Sequence, residues 1–168
     1  MVPVISEISS SEEIKTVALL ADRIWHEHYS RILDPGQIDY MIGKYQSEEA
    51  IARQMKEEGY RYYLLRLGPE AIGYLGMKEE GRTLFLSKLY IARPYRGKGY
   101  SRAAFDCVQE YARRHALESV WLTVNRHNTE SVAVYKAAGF SVVREEVTDI
   151  GNGYVMDDFI MEKKILSV

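Results

Sequence analysis

The sequence contains little cysteine and no long hydrophobic run. Its single cysteine among 168 residues excludes an intramolecular disulfide. No apolar run approaches the roughly 20 residues that span a bilayer, and the first residues lack the basic start and the apolar core of a signal peptide. These absences predict a cytoplasmic protein without a membrane-spanning helix.

An excess of charge of one sign is also missing. The chain has 22 basic and 24 acidic side chains and a formal net charge of -2, which gives no overall attraction to nucleic acid or to an anionic membrane. Neither is expected as a partner, and a phosphate-bearing ligand must be held by a local site. The length, with 46% hydrophobic residues, predicts a single domain over residues 1–168. The oligomeric state stays open, with a homodimer as one option.

Hydrophobic periodicity predicts a mixed α/β fold. Helical spacing of apolar residues predicts helices over residues 10–29, 34–45, 48–58, 101–115 and 128–138. Alternating or short apolar runs predict strands over residues 2–8, 60–67, 71–78, 83–91, 119–124, 140–147 and 154–165. Short turns between residues 60 and 91 predict an antiparallel meander, whereas the helical crossover after residue 91 predicts one parallel pair. We therefore expect about seven strands, mostly antiparallel around a central parallel pair, flanked by four to five helices.

A glycine-containing loop joins the third meander strand to the following helix. The strand Leu84–Ile91 leads into Arg96-Gly97-Lys98-Gly99-Tyr100-Ser101, with Arg102 in the first helical turn. Two glycines let backbone amides converge on an anion, and the helix N-terminus adds unpaired donors and partial positive charge. The loop lacks the third glycine of a dinucleotide motif and does not match a P-loop. It predicts a phosphate site, and a simple helix-entry turn is the alternative.

The helix after the predicted parallel strand carries two further candidates. Asn128 and Tyr135 are seven residues apart, which places them two turns apart on nearly one stripe of a helix. One ligand could contact both side chains. Alone, Asn128 is typical of a helix N-cap and Tyr135 of a half-buried core tyrosine.

Together these pieces resemble the GNAT superfamily of N-acetyltransferases. The resemblance rests on the strand Leu89-Tyr90-Ile91, on the loop Arg96–Ser101, and on Asn128 with Ala133, Tyr135, Gly139 and Phe140 at the family's spacing. The element order agrees over the whole chain. The segments Trp25–Tyr29 and Met156–Lys163 are similar, less specifically, to the bacterial spermidine/polyamine N-acetyltransferase branch.

The resemblance implies a direct transfer of an acetyl group from acetyl-CoA to a primary amine, either of a small cationic, polyamine-like molecule or of a peptide. It implies that Tyr135 donates a proton to the departing CoA thiolate, a role that a phenol with an ordinary pKa of about 10 can fill at neutral pH. It also implies that the two parallel strands splay apart for the cofactor. The implied cofactor-binding residues are Leu89, Tyr90, Ile91, Arg96, Gly97, Lys98, Gly99, Tyr100, Ser101, Arg102 and Asn128.

Two positions depart from the family pattern. Ser101 replaces the Gly or Ala that usually ends the phosphate loop, and Ser87-Lys88 stands where many relatives carry a glutamate that acts as general base. An amine acceptor must lose a proton before it attacks, so another base is needed. The candidates are His28 and Glu27 in the first helix and Asp157 or Asp158 in the last strand.

Asp157 and Asp158 are adjacent and point to opposite faces of a regular strand, so only one of them is expected to line a shared pocket. Either could instead attract a cationic amine, or both could be solvent-facing carboxylates.

Other chemistry receives less support from the sequence. His26 and His28 point apart on a helix, so no metal site is expected, and Cys107 lies on the apolar stripe of its helix as an inert thiol. Two alternatives to the enzyme stay open. The chain could be a non-catalytic acyl-CoA sensor, because the strand glutamate is absent, or a nucleic-acid module, because basic and aromatic residues interleave between Arg93 and Arg102.

Overall fold

The computed structural model describes residues 1–166. Its strands are β1 (Val4–Glu7), β2 (Tyr60–Leu67), β3 (Glu70–Glu80), β4 (Thr83–Ile91), β5 (Ser119–Asn125), β6 (Ser141–Gly151) and β7 (Tyr154–Lys164). Its α-helices are α1 (Ser11–Tyr29), α2 (Pro35–Met41), α3 (Glu48–Glu57), α4 (Tyr100–Arg114) and α5 (Thr129–Ala137). A π-helical turn, Ile42–Gln46, follows α2, and a short 3-10 turn, Arg93–Tyr95, precedes α4. No helix among residues 1–166 is long and apolar enough to cross a membrane.

The strands form one sheet in the order β1-β2-β3-β4-β5-β7-β6. All neighbours are antiparallel except β4 and β5, which are parallel. This pair is joined only where Thr83–Phe85 lies beside Ser119–Trp121, and beyond these residues the two strands separate. The predicted fold class is confirmed, and the splayed pair opens a gap in the middle of the sheet.

Helices cover both faces of this sheet. On one face, α4 and α5 pack on a core that includes Leu75, Met77 and Leu86. On the other face, α1, α2 and α3 enclose a second core that includes Ile24, Trp25 and Tyr74. The gap between β4 and β5 therefore lies between two packed layers, which can hold side chains around it on both sides.

The ends of α1 and α2 show how local sequence sets the helix boundaries. Ser10 and Glu13 form the capping box that their spacing predicts, since the Ser10 hydroxyl accepts from the Glu13 amide at 3.2 Å and the Glu13 carboxylate accepts from the Ser10 amide at 3.1 Å. Asp34 caps α2 by accepting from the Gly36 amide at 2.7 Å. The predicted second helix is shorter than expected, because its last turn widens into the π-helical turn at Ile42.

A β-bulge in β4 changes which side chains face which layer. The pairing with β3 shifts between Gly76 and Met77, and Ser87 has no Cα partner there. Leu86 packs in the α4 layer before the bulge, whereas Lys88 and Tyr90 face the α1–α3 layer after it. Because a bulge adds one residue to one strand, simple alternation from Leu84 would have placed Lys88 on the opposite face.

Candidate active site

Two cavities open from the gap between β4 and β5. The first, which we call the loop cavity, has a volume of about 610 Å³ and lies against the glycine loop and α5. Its lining includes most of the residues that the sequence nominates for the cofactor, namely Leu89, Tyr90, Ile91, Arg96, Gly97, Gly99, Tyr100 and Ser101. Lys98 and Arg102 are exposed and lie outside this lining.

The glycine loop presents unpaired backbone amides to the loop cavity. Gly97 and Gly99 have φ values of +73° and +81°, a left-handed conformation that costs an L-residue about 1–2 kcal/mol. Among residues 1–166, no backbone carbonyl accepts from the amides of residues 97–101, and Tyr100 begins α4 with its first amides free. The Nε of Arg96 braces the loop by donating to the Ile91 carbonyl at 2.8 Å. These donors form a cradle that fits a phosphate group.

We expect a Gly99→Ala substitution to weaken coenzyme A binding about 10-fold. An alanine at position 99 would favour a loop conformation with negative φ, and binding would have to restore the left-handed conformation at a cost of about 1–2 kcal/mol. No atom within 4 Å would obstruct the added Cβ, so the effect is conformational. Isothermal titration with coenzyme A measures it.

Gly81→Ala is the matched control for this substitution. Gly81 also has a left-handed φ of +60°, free space around its Cβ position, and lies in the turn between β3 and β4. The Gly81→Ala substitution should lower thermal stability and leave the dissociation constant for coenzyme A unchanged. Equal affinity of the Gly99→Ala variant and the wild type would contradict the role of the loop as a phosphate cradle.

The second cavity has a volume of about 450 Å³ and lies under the helices of the α1–α3 layer. We call it the Asp158 cavity, because this carboxylate lies in its wall and is only 6% exposed. Burial, together with the negative charges of Asp157 and Glu146, raises the pKa of Asp158 to about 6. A buried carboxylate without a neutralising cation is suited to accept a proton or to hold an ammonium group.

The other candidate bases lie elsewhere. Asp157 forms an ion pair with Arg126, whose Nε lies 2.7 Å from its Oδ1. Glu27 is exposed and lines neither cavity. Asp158 alone of the adjacent pair lines the Asp158 cavity, as strand alternation predicts.

Asn128 and His28 are tied to each other. The Asn128 Oδ1 accepts from the Ser131 amide at 3.3 Å, which is the N-cap of α5. Its Nδ2 therefore donates to His28 Nε2 at 2.7 Å, and the imidazole carries its proton on Nδ1. Burial lowers the pKa of His28, which keeps the ring neutral. His28 lines the loop cavity and Asn128 lines the Asp158 cavity, so this hydrogen bond spans the two.

Tyr135 lies in the lining of both cavities. Its ring packs on Phe105 and Phe140, with ring centroids 5.9 Å apart in each pair. Burial raises the pKa of the phenol above its usual range, so the hydroxyl is protonated at neutral pH. Tyr135 is therefore a protonated donor at the junction between the loop cavity and the Asp158 cavity.

Lys88 is a site residue that sequence reasoning missed. It is 7% exposed, lines the Asp158 cavity, and its Nζ donates to the Tyr62 hydroxyl at 2.6 Å and to Gln54 Oε1 at 3.0 Å. Burial lowers its pKa to about 7. The sequence shows only that Ser87-Lys88 lacks the carboxylate that many relatives carry there. No local sequence pattern predicts the bulge that turns the Lys88 side chain into the cavity.

No group of three or more His, Cys, Asp or Glu side chains among residues 1–166 could hold a metal ion. Burial raises the pKa of the Cys107 thiol, which favours its unreactive protonated form.

The glycine loop lies beside the splayed parallel pair, which is the arrangement that the family resemblance predicts for a cofactor site. The chain belongs to the acetyltransferase (GNAT) family, whose family model matches residues 22–140. It is an N-acetyltransferase, in agreement with the sequence prediction.

Individual relatives agree with this membership. A protein named as an uncharacterized N-acetyltransferase in the pepI 3′ region of Lactobacillus delbrueckii subsp. lactis is 18% identical over 165 residues, covering 94% of this chain and 95% of the relative. The crystal structure of the PaiA N-acetyltransferase from Thermoplasma acidophilum in complex with coenzyme A has a TM-score of 0.81 at 24% identity, covering 98% of this chain and 99% of that one. A chimera of the spermidine N-acetyltransferase SpeG from Vibrio cholerae with hSSAT has a TM-score of 0.71 at 17% identity, covering 98% and 96%.

Proposed function

We propose that this protein transfers an acetyl group directly from acetyl-CoA to the primary amine of a small cationic, polyamine-like acceptor or of a peptide acceptor. The observation that carries the proposal is the junction of the two cavities, which share Leu89, Tyr90, Ser131 and Tyr135 in their linings. A donor in the loop cavity and an amine in the Asp158 cavity would meet at this junction.

The loop cavity fits the coenzyme A part of the donor. Its free amides at residues 97–101 and the Arg96 guanidinium suit a pyrophosphate. Beyond Phe85, the edge of β4 that faces β5 has no strand partner among residues 1–166. A pantetheine arm could therefore pair with the backbone of Leu89 and Ile91 along this edge, where the Ile91 carbonyl also accepts from Arg96 Nε. The coenzyme A in the Thermoplasma acidophilum relative supports this assignment.

The proposed mechanism uses Asp158 as base and Tyr135 as acid. Asp158 takes a proton from the acceptor ammonium, and the free amine attacks the thioester carbon. The new C–N bond forms and the C–S bond breaks, while Tyr135 gives its proton to the leaving thiolate and recovers one from the nitrogen as the amide forms. The neutral His28 and its partner Asn128 hold the start of α5, and with it Tyr135, in position.

The test is release of free coenzyme A thiol from acetyl-CoA over a panel of amines. The panel contains spermidine, which is named for one structural relative, short diamines, amino acids and short peptides, and mass spectrometry identifies the acetylated product. We expect turnover with at least one primary amine. Binding of coenzyme A without thiol release from any member would favour the non-catalytic sensor.

A further inference from the structure

Lys88 is a buried cation without a carboxylate partner. No ion pair found among residues 1–166 includes it. Its Nζ contacts only neutral groups at hydrogen-bond distance and lies 5.1 Å and 5.0 Å from the ring centroids of Tyr60 and Tyr62. The negative charge of Glu58 raises the pKa of Lys88. Glu58 is exposed, however, lies in the lining of the same cavity, and pairs with Arg53 at 3.4 Å. Burying a lysine in this way costs free energy unless an anion arrives to pair with it.

Gln46 supplies a buried donor in the same cavity that has no acceptor among residues 1–166. The indole Trp25 Nε1 donates to the Tyr74 hydroxyl at 3.1 Å, and that hydroxyl therefore donates to Gln46 Oε1 at 2.8 Å. This chain of hydrogen bonds fixes the orientation of the Gln46 amide. Its Nε2 is buried and has no hydrogen-bond partner among residues 1–166. Since buried donors are nearly always paired, this amide points to a missing acceptor.

Gln54 connects Lys88 to the backbone next to Gln46. Gln54 accepts from Lys88 through Oε1 and donates through Nε2 to the carbonyl of Tyr45, the residue before Gln46, at 3.0 Å. Both Lys88 and Gln46 line the Asp158 cavity. Among residues 1–166, the lining of the cavity thus contains a lysine without an anionic partner, an amide donor without an acceptor, and a carboxylate, Asp158, without a cationic partner.

From this juxtaposition we infer that the amine acceptor also carries a carboxylate, which binds Lys88 Nζ and Gln46 Nε2 while its amine lies at Asp158. The inference rests on the acetyl transfer of the proposed function and changes its acceptor from a polyamine-like cation to a small zwitterion such as an amino acid. A polyamine has cationic groups only, and the cations Lys44 and Lys88 in the lining would repel it, whereas Arg53 in the same lining is paired with Glu58. A cavity of about 450 Å³ is large enough for an amino acid.

Matched pairs of compounds test the inference. Lysine is compared with 1,5-diaminopentane, and tyrosine with tyramine, because each pair differs only by the carboxylate. For the wild type at pH 7, we expect kcat/KM for thiol release to be about 10-fold or more higher with the amino acid, the range for hydrogen bonds to a charged group. Titration of each compound into the coenzyme A-bound protein measures the same preference without turnover.

Lys88→Met and Gln46→Leu are expected to reduce this preference, the first of them to near unity. Lys78→Met is the matched control, because the Lys78 Nζ also lies over the Tyr60 ring, at 5.3 Å, but this residue does not line the cavity. It should keep the wild-type preference. The preference should also fall as the pH rises above about 7, because the unliganded Lys88 loses its proton there.

Folding of the Lys88→Met variant is checked by thermal unfolding. The pKa of Lys88 in the native state, about 7, lies below its ordinary value of 10.5, so the native state binds fewer protons than the unfolded state between these values. Lys88 therefore destabilises the native state most below pH 7, and this effect fades as the pH rises to 10.5. The variant should melt at a higher temperature than the wild type at pH 7.

The outcomes separate the two proposals. Thiol release that is equal or faster with the decarboxylated compounds would overturn the zwitterion inference and leave the acetyltransferase function intact. Failure of both amino acids to bind the coenzyme A-bound protein would also overturn it. Absence of thiol release with every amine, while amino acids still bind through Lys88, would reject the catalytic function and keep the recognition of the carboxylate.

Discussion

Replacing Asp158 by asparagine is expected to lower kcat/KM for the acceptor about 10²- to 10⁴-fold at pH 7, the usual contribution of a general base. The carboxylate is 6% exposed and lines the cavity that adjoins Tyr135. Asparagine keeps the shape of the side chain but cannot accept a proton from an ammonium group. Initial rates of thiol release with saturating acetyl-CoA measure the loss.

The pH dependence of kcat/KM is the most specific test of Asp158 as the base. The pKa of Asp158 is raised from 3.8 to about 6, so kcat/KM of the wild type should rise as the pH increases through about 6, where the base becomes ionised. The Asp158→Asn variant should lack this limb. Its rate should instead keep increasing toward the pKa of the acceptor amine, about 10 for an alkylamine, because only the free amine in solution can react.

Asp157→Asn is the matched control. Asp157 is the neighbouring residue of the same type, but it pairs with Arg126 outside the cavity, and its side chain is 37% exposed. Partly exposed ion pairs contribute little to stability, so turnover at pH 7 should stay close to that of the wild type. Loss of the Asp157 charge, which helps to raise the pKa of Asp158, should move the rising limb of the pH profile to lower pH without removing it. If the two variants lose activity equally, a general effect of strand charge rather than a base at Asp158 is responsible.

Loss of activity in the Asp158→Asn variant should not reflect unfolding. Because the native pKa of Asp158 is raised, the native state binds more protons than the unfolded state between pH 3.8 and about 6. The contribution of Asp158 to stability is therefore greatest below pH 3.8 and is lost as the pH rises through about 6. At pH 7 the variant should be at least as stable as the wild type, which thermal unfolding can verify.

Much of the loop cavity could be predicted from the sequence, because its signals are local. Gly97 and Gly99 are the residues that a left-handed loop requires, and both have positive φ values. Arg96 directly precedes Gly97 and also lines the cavity. The helix that begins at Tyr100 is equally local, since apolar residues at helical spacing define it.

The Asp158 cavity could be predicted only in part, because it is assembled from distant segments. The side of the strand that Asp158 faces follows from alternation, but its lack of a counterion depends on which helices cover it. Lys88 was missed because a bulge at Ser87 reverses the alternation of β4. Gln46 lies at the end of a π-helical turn that the apolar period does not reveal.

Burial of Asp158 and Lys88 makes the Asp158 cavity hard to predict from the sequence, and it also shifts the pKa values of these two side chains. Asp158 and Lys88 are both buried and have no ionic partner among residues 1–166, so each has a pKa shifted toward neutrality, about 6 and about 7. Structural ion pairs would shift the two pKa values in the opposite directions. Destabilising groups kept in one cavity are typical of a site that trades stability for function.

Replacing Tyr135 by phenylalanine should lower kcat about 10²- to 10⁴-fold, the usual contribution of a general acid. The phenol lies at the junction of the two cavities, and burial keeps it protonated by raising its pKa. Phenylalanine preserves the ring contacts with Phe105 and Phe140, so the packing should persist while the transferable proton is lost. Single-turnover thiol release measures the chemical step directly.

The division between kcat and binding decides how Tyr135 acts. If the hydroxyl serves only to protonate the leaving thiolate, the dissociation constant for coenzyme A should change less than about 5-fold, since a lost neutral hydrogen bond is worth about 1 kcal/mol at most positions. Tyr111→Phe, which removes a hydroxyl that contacts Glu79 on the surface, should change neither quantity. If weaker coenzyme A binding accounts for the whole loss of activity in the Tyr135→Phe variant, Tyr135 is a binding residue. If kcat is unchanged, Tyr135 is not the acid, and solvent protonates the leaving thiolate.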